Sequence, residues 1–313
     1  MNPGGYIQNH VPFFTIAVLA LEMSTGVLMN AFIIFAVYLD FLKTKTVSSS
    51  YKILLCVAIS NVCFGILMSL ALLDYFCSLG IFQTINTTYI YLYLLLFTMT
   101  SCGWLSASLG FFYFIKISDF KSGCFSWMKT NISSIVPRML LGAVMVSLFN
   151  SLLSNVFFIF SPALSGNTTD YSPSMVSILS QSSTTFVNAV IIATVLPFLV
   201  VFTTTLFTLV ALKKHRKRMM NVQTSGSEHA RSYENVVLRM THYLLFYVIF
   251  YVVMSIVYFV VIIWVESGFW FLLLLLNSFT PVQSTLLVLA NPRLKAAWEE
   301  IFLCAHLQEM FST

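Results

Sequence analysis

Charge is what this sequence has least of. Asp, Glu, Lys and Arg make up 9% of its 313 residues, against 58% hydrophobic residues. A soluble domain runs near 25% charged. So little polar surface cannot solvate a globule of this length, which excludes a water-soluble nucleic-acid binder and points to an integral membrane protein. Metal-ligand spacing is missing too. Cys56, Cys63, Cys77, Cys102, Cys124 and Cys304 form no CxxC pattern. Four of them lie in or beside apolar runs, where a small buried hydrophobe is the usual role. Walker A, GxSxG and HExxH motifs are absent, and the five histidines are scattered. No metal, cofactor or catalytic site is expected, and the chain does not read as an enzyme.

The first Lys or Arg is Lys43, beyond the first apolar run. A secretory signal peptide needs a positive n-region ahead of its apolar stretch. The expectation is an uncleaved first helix with an outside N-terminus.

What is present is a set of long apolar runs. Crossing about 30 Å of hydrocarbon takes about 20 helical residues. Runs of that order occur near Phe13–Tyr38, Ile53–Tyr75, Tyr89–Ile115, Met139–Phe160, Ser183–Leu212, Met240–Trp264 and Phe269–Leu289. The predicted fold is an all-α, seven-transmembrane bundle forming a single receptor domain over residues 1–313. Residues 1–12 would be extracellular, 13–289 would hold the spans and loops, and 290–313 would be a cytoplasmic tail. Only "VESGF" separates the last two runs, which predicts a tight hairpin there.

All 16 Lys and Arg fall in alternate connections. Lys43, Lys45 and Lys52 lie in the first loop; Lys116, Lys121, Lys129 and Arg138 follow the third run. Lys213, Lys214, Arg216, Lys217, Arg218, Arg231 and Arg239 follow the fifth, and Arg293 and Lys295 the seventh. The positive-inside rule then puts the N-terminus outside and the C-terminus inside. The sequons at Asn86 and Asn167 fall in outside loops as glycosylation candidates, and that at Asn131 falls inside. The cluster Lys213–Arg218 is the inner end of the fifth helix. Two readings of it stay open: attraction to anionic lipid, about 1 kcal/mol per basic residue, and contact with an acidic surface of a protein partner.

No internal repeat is visible and the span count is odd, which disfavours an inverted-repeat transporter. No polar ring suggests a channel filter. Glu22 is the acid deepest in a span, where an ionisable group is a functional candidate by default. The plainer reading is a protonated or hydrogen-bonded carboxyl that fixes helix packing against Asn30, Asn61 or Asn277. A polar anchor beneath a ligand site is the other.

Seven helices with basic inner loops resemble a G-protein-coupled receptor. No Lys lies within a span, as an opsin requires, and no acid lies in the third run, as an aminergic receptor requires. Asp-Arg-Tyr, CWxP in the sixth run, and a cysteine between runs four and five are all absent.

Four stretches carry a closer resemblance. "EMSTGVLMNAFI" holds Glu22, Gly26, Asn30, Phe32 and Ile33. Phe112-Tyr113-Phe114-Ile115-Lys116-Ile117-Ser118-Asp119-Phe120 is followed by Phe125 and Met128-Lys129. "LPF" at 196–198 precedes "KHRKRM" at 214–219, and "LVLANPRLKAA" closes the series. In this order they resemble the type 2, bitter taste receptors, from Glu22 to Lys295, and the chain is identified as a divergent member. It departs from the family at Asn61, where Ser-Arg is usual, at Leu95, where many members have Trp, and at Gln283-Ser284 in place of His-Ser. A vomeronasal-type pheromone receptor is the alternative, and a transporter a more distant one.

The resemblance implies a plasma-membrane, multi-pass chemosensory receptor for small, largely apolar bitter agonists. It implies signalling through a gustducin or Gi-type heterotrimeric G protein, and leaves a homo- or hetero-oligomer open. Carried over residue by residue, it implies a pocket at Leu95, Met99, Thr100, Ala193, Phe250 and Met254. Tyr247 and Tyr251, one turn apart, are candidate switch residues, and Lys116, His215 and Arg218 candidate G-protein contacts. "NPRLKAAWEEIF" reads as an amphipathic helix on the inner membrane face, with Trp298, Ile301 and Phe302 towards lipid.

Overall fold

The computed structural model describes residues 13–82, 84–118, 123–159, 195–211, 213–214, 245–246, 249–250, 252–253 and 265–300. All regular structure among them is helical. The long elements are α1 (Phe13–Thr44), α2 (Ser49–Cys77), α3 (Ile85–Ile117) and α5 (Ile132–Ile159), with the short α4 (Cys124–Thr130) between the last two. α6 (Val195–Ala211), α7 (Val265–Ala290) and α8 (292–300) follow. Among the described residues, four helices are long and apolar enough to cross a bilayer: Phe14–Thr44, Ser49–Asp74, Asn86–Ile117 and Ile132–Val156.

Local signals set the ends. Ser48 caps α2 by accepting the Tyr51 N–H at 3.4 Å, and Thr84 caps α3 by accepting that of Thr87 at 3.3 Å. Ser78 closes α2 in the left-handed region, with φ of 50°. Pro137 lies inside α5, only six residues from its start, where a missing N–H costs one helical bond. The "VESGF" residues are helical, within α7, so the expected tight turn does not fall on them; residues 254–264 lie outside the described residues.

The helices are apolar on the outside as well as the inside. On α1, Phe14, Leu21 and Leu28 are 74%, 66% and 69% exposed, and Phe35 and Leu42 continue the seven-residue spacing. In water such a stripe would be an aggregation hazard; in lipid it is an ordinary outer face. The opposite face buries Leu19, Asn30, Ile33 and Val37.

α1 packs on α7 and α2, α2 on α3, and α3 on α5. The main core gathers Met29, Ile33, Leu54, Leu105, Leu109 and Val288 from α1, α2, α3 and α7. Many hydroxyls within this interior are satisfied by their own helix, whereas Ser101 and Ser118 are buried without a partner. Thr98, Thr100, Ser106, Ser147, Ser151, Thr204 and Thr208 each donate to a carbonyl one turn back. The amphipathic α8 turns Trp298 inward rather than to lipid: its ring meets Phe32 of α1 edge-on at 4.8 Å and packs on the main core. Ile301 and Phe302 lie outside the described residues.

Candidate functional site

The interior holds a polar junction between four helices. On α1 the Asn30 side-chain amide donates to the Gly26 carbonyl at 2.8 Å. The Asn61 amide of α2 donates both to Asn30 Oδ1 at 3.2 Å and to Gln283 Oε1 of α7 at 3.3 Å. Gln283 Nε2 donates in turn to the Ser106 hydroxyl of α3. Ser106 passes its own proton to the Cys102 carbonyl at 2.6 Å. Every member is buried. None carries a formal charge, so the junction binds helices by hydrogen bonds alone, without the desolvation cost of a buried ion. Asn61 Oδ1 is buried and has no partner.

Backbone proximity makes this reach work. A side chain at Gly26 would place its Cβ 3.3 Å from Pro281 Cδ. Lacking one, α1 closes on α7 just where Asn30 and Gln283 must both meet Asn61. Glu22, one turn before Gly26, is not part of the junction; its Oε2 is buried without a hydrogen bond.

A second feature is aromatic. Phe250 lies 4.7 Å from Phe279 of α7 and 5.9 Å from Phe246, and Phe246 stacks on Phe279 at 6.0 Å. Phe246 and Phe279 pack against Ala107 of α3 and Val201 of α6, beside Trp104 and Phe198. Phe246 and Phe250 therefore meet α3, α6 and α7 on one apolar surface.

The structure divides the expected pocket residues. Leu95 and Met99 sit together in the α2–α3 seam with Phe64, Met68, Tyr91 and Cys102. Thr100 turns to α5, where the Asn150 amide donates to its hydroxyl at 3.3 Å. Phe250 belongs to the aromatic surface. Leu95 is 12 residues before Ala107, about 18 Å along the α3 axis, so the two groups occupy different levels. Lys116 is exposed at the end of α3, with its ammonium 5.7 Å from the Phe112 ring centre. Asn86 is exposed in the first turn of α3. Ala193, Met254, Tyr247, Tyr251, His215, Arg218 and Asn167 lie outside the described residues.

Ser106, Phe246 and Phe279 were not singled out from sequence. A hydroxyl within an apolar run was the one signal for Ser106, and it is shared with many back-bonded serines. No metal-holding cluster occurs among the described residues, and their cysteines are free thiols.

Comparison with known proteins is consistent along nearly the whole chain. The family model for taste receptor protein (TAS2R) matches residues 7–306. Taste receptor type 2 member 39 of Macaca mulatta is 26% identical over 305 residues, covering 94% of this chain and 87% of the relative. Member 42 of Pan troglodytes is 28% identical over 289 residues, covering 88% of each. Member 7 of Gorilla gorilla gorilla is 30% identical over 243 residues, covering 72% of this chain and 74% of the relative.

Proposed function

The chain belongs to the type 2 taste receptor family, and on that premise we propose that it senses small, largely apolar bitter compounds and signals through a gustducin or Gi-type heterotrimeric G protein. Membership makes it a multi-pass plasma-membrane receptor of the bitter-taste G-protein-coupled class, not an enzyme. It also sets aside the vomeronasal-type alternative. The proposed topology is seven spans, an outside N-terminus and an inside tail, following the one-sided distribution of Lys and Arg. In it Asn86 and Asn167 are glycosylation sites.

The observation that carries the reading is the aromatic surface of Phe246, Phe250 and Phe279 against Ala107 and Val201. It joins Phe246 and Phe250 to α3, α6 and α7 and is apolar and aromatic, as sites for small, largely apolar ligands are. An agonist that packs better against one arrangement of these helices shifts the population towards it. In this scheme Leu95, Met99 and Thr100 form a second group of ligand contacts at other levels of α3, Ala193 and Met254 belong to the ligand surface, and Tyr247 and Tyr251 relay the change. Lys116, His215 and Arg218 meet the G protein at the inner end. Asn30 and Asn61 hold the resting bundle, with Glu22 as a further polar packing residue.

The test is calcium release in cells carrying a gustducin-chimera G protein, read against a panel of bitter compounds. An agonist response lost in Phe250→Ala at unchanged surface expression is the expected result. An unchanged dose-response would remove Phe250 from the ligand surface, and a response independent of the G protein would refute the receptor reading.

A further inference from the structure

Beside the aromatic surface, with which it shares Trp104, Ala107 and Val200, an open lateral groove of ≈ 250 Å³ is lined by α3, α5 and α6. Trp104, Ala107, Phe111, Met139, Gly142 and Val200 form most of its wall. Ser108 also lines it, but donates its proton to the Trp104 carbonyl at 2.9 Å. One water takes about 30 Å³ in the liquid and needs two to four polar partners; this cavity has the space and lacks the partners. Left empty, its wall atoms forfeit dispersion contacts. It opens on the outer face of α5, where Leu141, Met145, Val146 and Phe149 are exposed. Beyond Phe111 and Met139, the narrow seam with Ile115, Met128 and Ile132 is closed even to water.

The charge around this groove has one sign. α3, α4, α5 and α6 contain no acidic residue, and their cations are Lys116, Lys129 and Arg138. Arg138 is exposed and directly precedes Met139 of the groove wall. Lys129 follows Met128 at the narrow end and donates to the Ser118 carbonyl at 2.9 Å. Asp119, between α3 and α4, lies outside the described residues.

We propose that this groove is a binding site for one acyl chain of an anionic phospholipid, whose phosphate is met by Arg138. The proposal rests on the reading that these helices span a bilayer with Arg138 on its inner side. Trp104 to Phe111 on α3 and Met139 to Val146 on α5 each run about 10 Å. That length accepts the upper part of an acyl chain while its headgroup stays at the interface, where a long Arg side chain reaches readily.

Gly142 supplies the test. A Cβ added there meets nothing within 4 Å, so Gly142→Leu has open space at its first atom to grow into the groove, and it removes a helix-interior glycine. Purified receptor carrying dioleoyl phosphatidylserine or dioleoyl phosphatidylcholine would be examined by native mass spectrometry, with helix content by circular dichroism as the folding control. No agonist is required, so a silent agonist panel would leave this measurement intact. Wild type should retain one phospholipid and prefer phosphatidylserine. Gly142→Leu should lower retention of both lipids about tenfold, equivalent to about 1.4 kcal/mol. Arg138→Gln should keep an adduct but lose the preference. Val200→Phe fills the groove from the opposite wall and should reproduce Gly142→Leu. Equal retention in wild type and both filling variants would overturn the site. So would loss in Arg138→Gln alone, which would mean surface charge attraction only. A cholesterol adduct blocked by Gly142→Leu, with none from phospholipid, would overturn the acyl-chain assignment.

Discussion

Asn61 is the node of the four-helix junction, so its removal should cost more than one ordinary interhelical hydrogen bond. It is 1% exposed and gives one amide group to two acceptors, Asn30 Oδ1 at 3.2 Å and Gln283 Oε1 at 3.3 Å. Side-chain hydrogen bonds between membrane helices average about 0.6 kcal/mol, because partners can be found elsewhere in the bilayer-embedded chain. Two such bonds give a floor of about 1.2 kcal/mol. Orphaning a buried acceptor costs about 1–3 kcal/mol. In Asn61→Ala, Asn30 Oδ1 and Gln283 Oε1 both lose this donor, and the expected loss is about 2 kcal/mol. Asn61→Asp should also destabilise despite its matching shape, since a neutral carboxyl offers one donor at most where the amide offers two. The assay is unfolding of the purified receptor in a fixed detergent mixture, run as a double-mutant cycle with Gln283→Ala. Coupling between the two positions should reach about 0.6 kcal/mol or more. Strictly additive losses, or an Asn61→Asp variant as stable as wild type, would refute the junction as described.

Two further outcomes follow from close contacts and exposed positions. A Cβ at Gly110 would lie 3.0 Å from Thr204 Oγ1, a hydroxyl held by its bond to the Val200 carbonyl at 2.6 Å; Gly110→Ala should therefore lower surface expression or thermal stability by about 1–3 kcal/mol, and adding Thr204→Ala should restore most of it, whereas no rescue would put the clash elsewhere. Asn86→Gln should remove one glycosidase-sensitive gel shift from cell-expressed receptor while Asn131→Gln removes none; the reverse pattern would invert the proposed orientation.

The spans were largely legible because their signal is composition over a length, which needs no partner. The run Ile53–Tyr75 became α2 (Ser49–Cys77), and Tyr89–Ile115 became α3 (Ile85–Ile117). The helices overrun the apolar stretches because Ser48 and Thr84 cap them in polar territory and Lys116 continues the last turn. α5 begins seven residues before the expected Met139, since Pro137 and Arg138 look like a boundary but are tolerated near a helix start. α4, a single short turn, has no periodic signal to read. The site was less legible for a different reason. Asn61 stood out as a polar residue in an apolar run, but its partner Gln283 is 222 positions away. Only folding makes them neighbours, and nothing near Ser106 marked it apart from serines that merely bond to their own helix. Trp298 was misjudged for the same reason: the face of α8 is visible in the sequence, but Phe32, which claims its ring, is not adjacent to it.

The near-contact at Gly110 also has a mechanical meaning. Where two helices leave no space for even a methyl group, neither can translate towards the other, and the easy relative motion is a tilt about that point. On the described part of α6, Val195 lies nine residues from Thr204 on one side and Ala211 seven on the other. At 1.5 Å per residue these are lever arms of about 13 Å and about 10 Å. A rigid tilt that draws the Val195 end inwards swings the Ala211 end outwards by about three quarters as much. A single missing side chain on α3 thus fixes both the sign and the gain with which a displacement at one end of α6 reaches the basic segment that begins beyond Ala211.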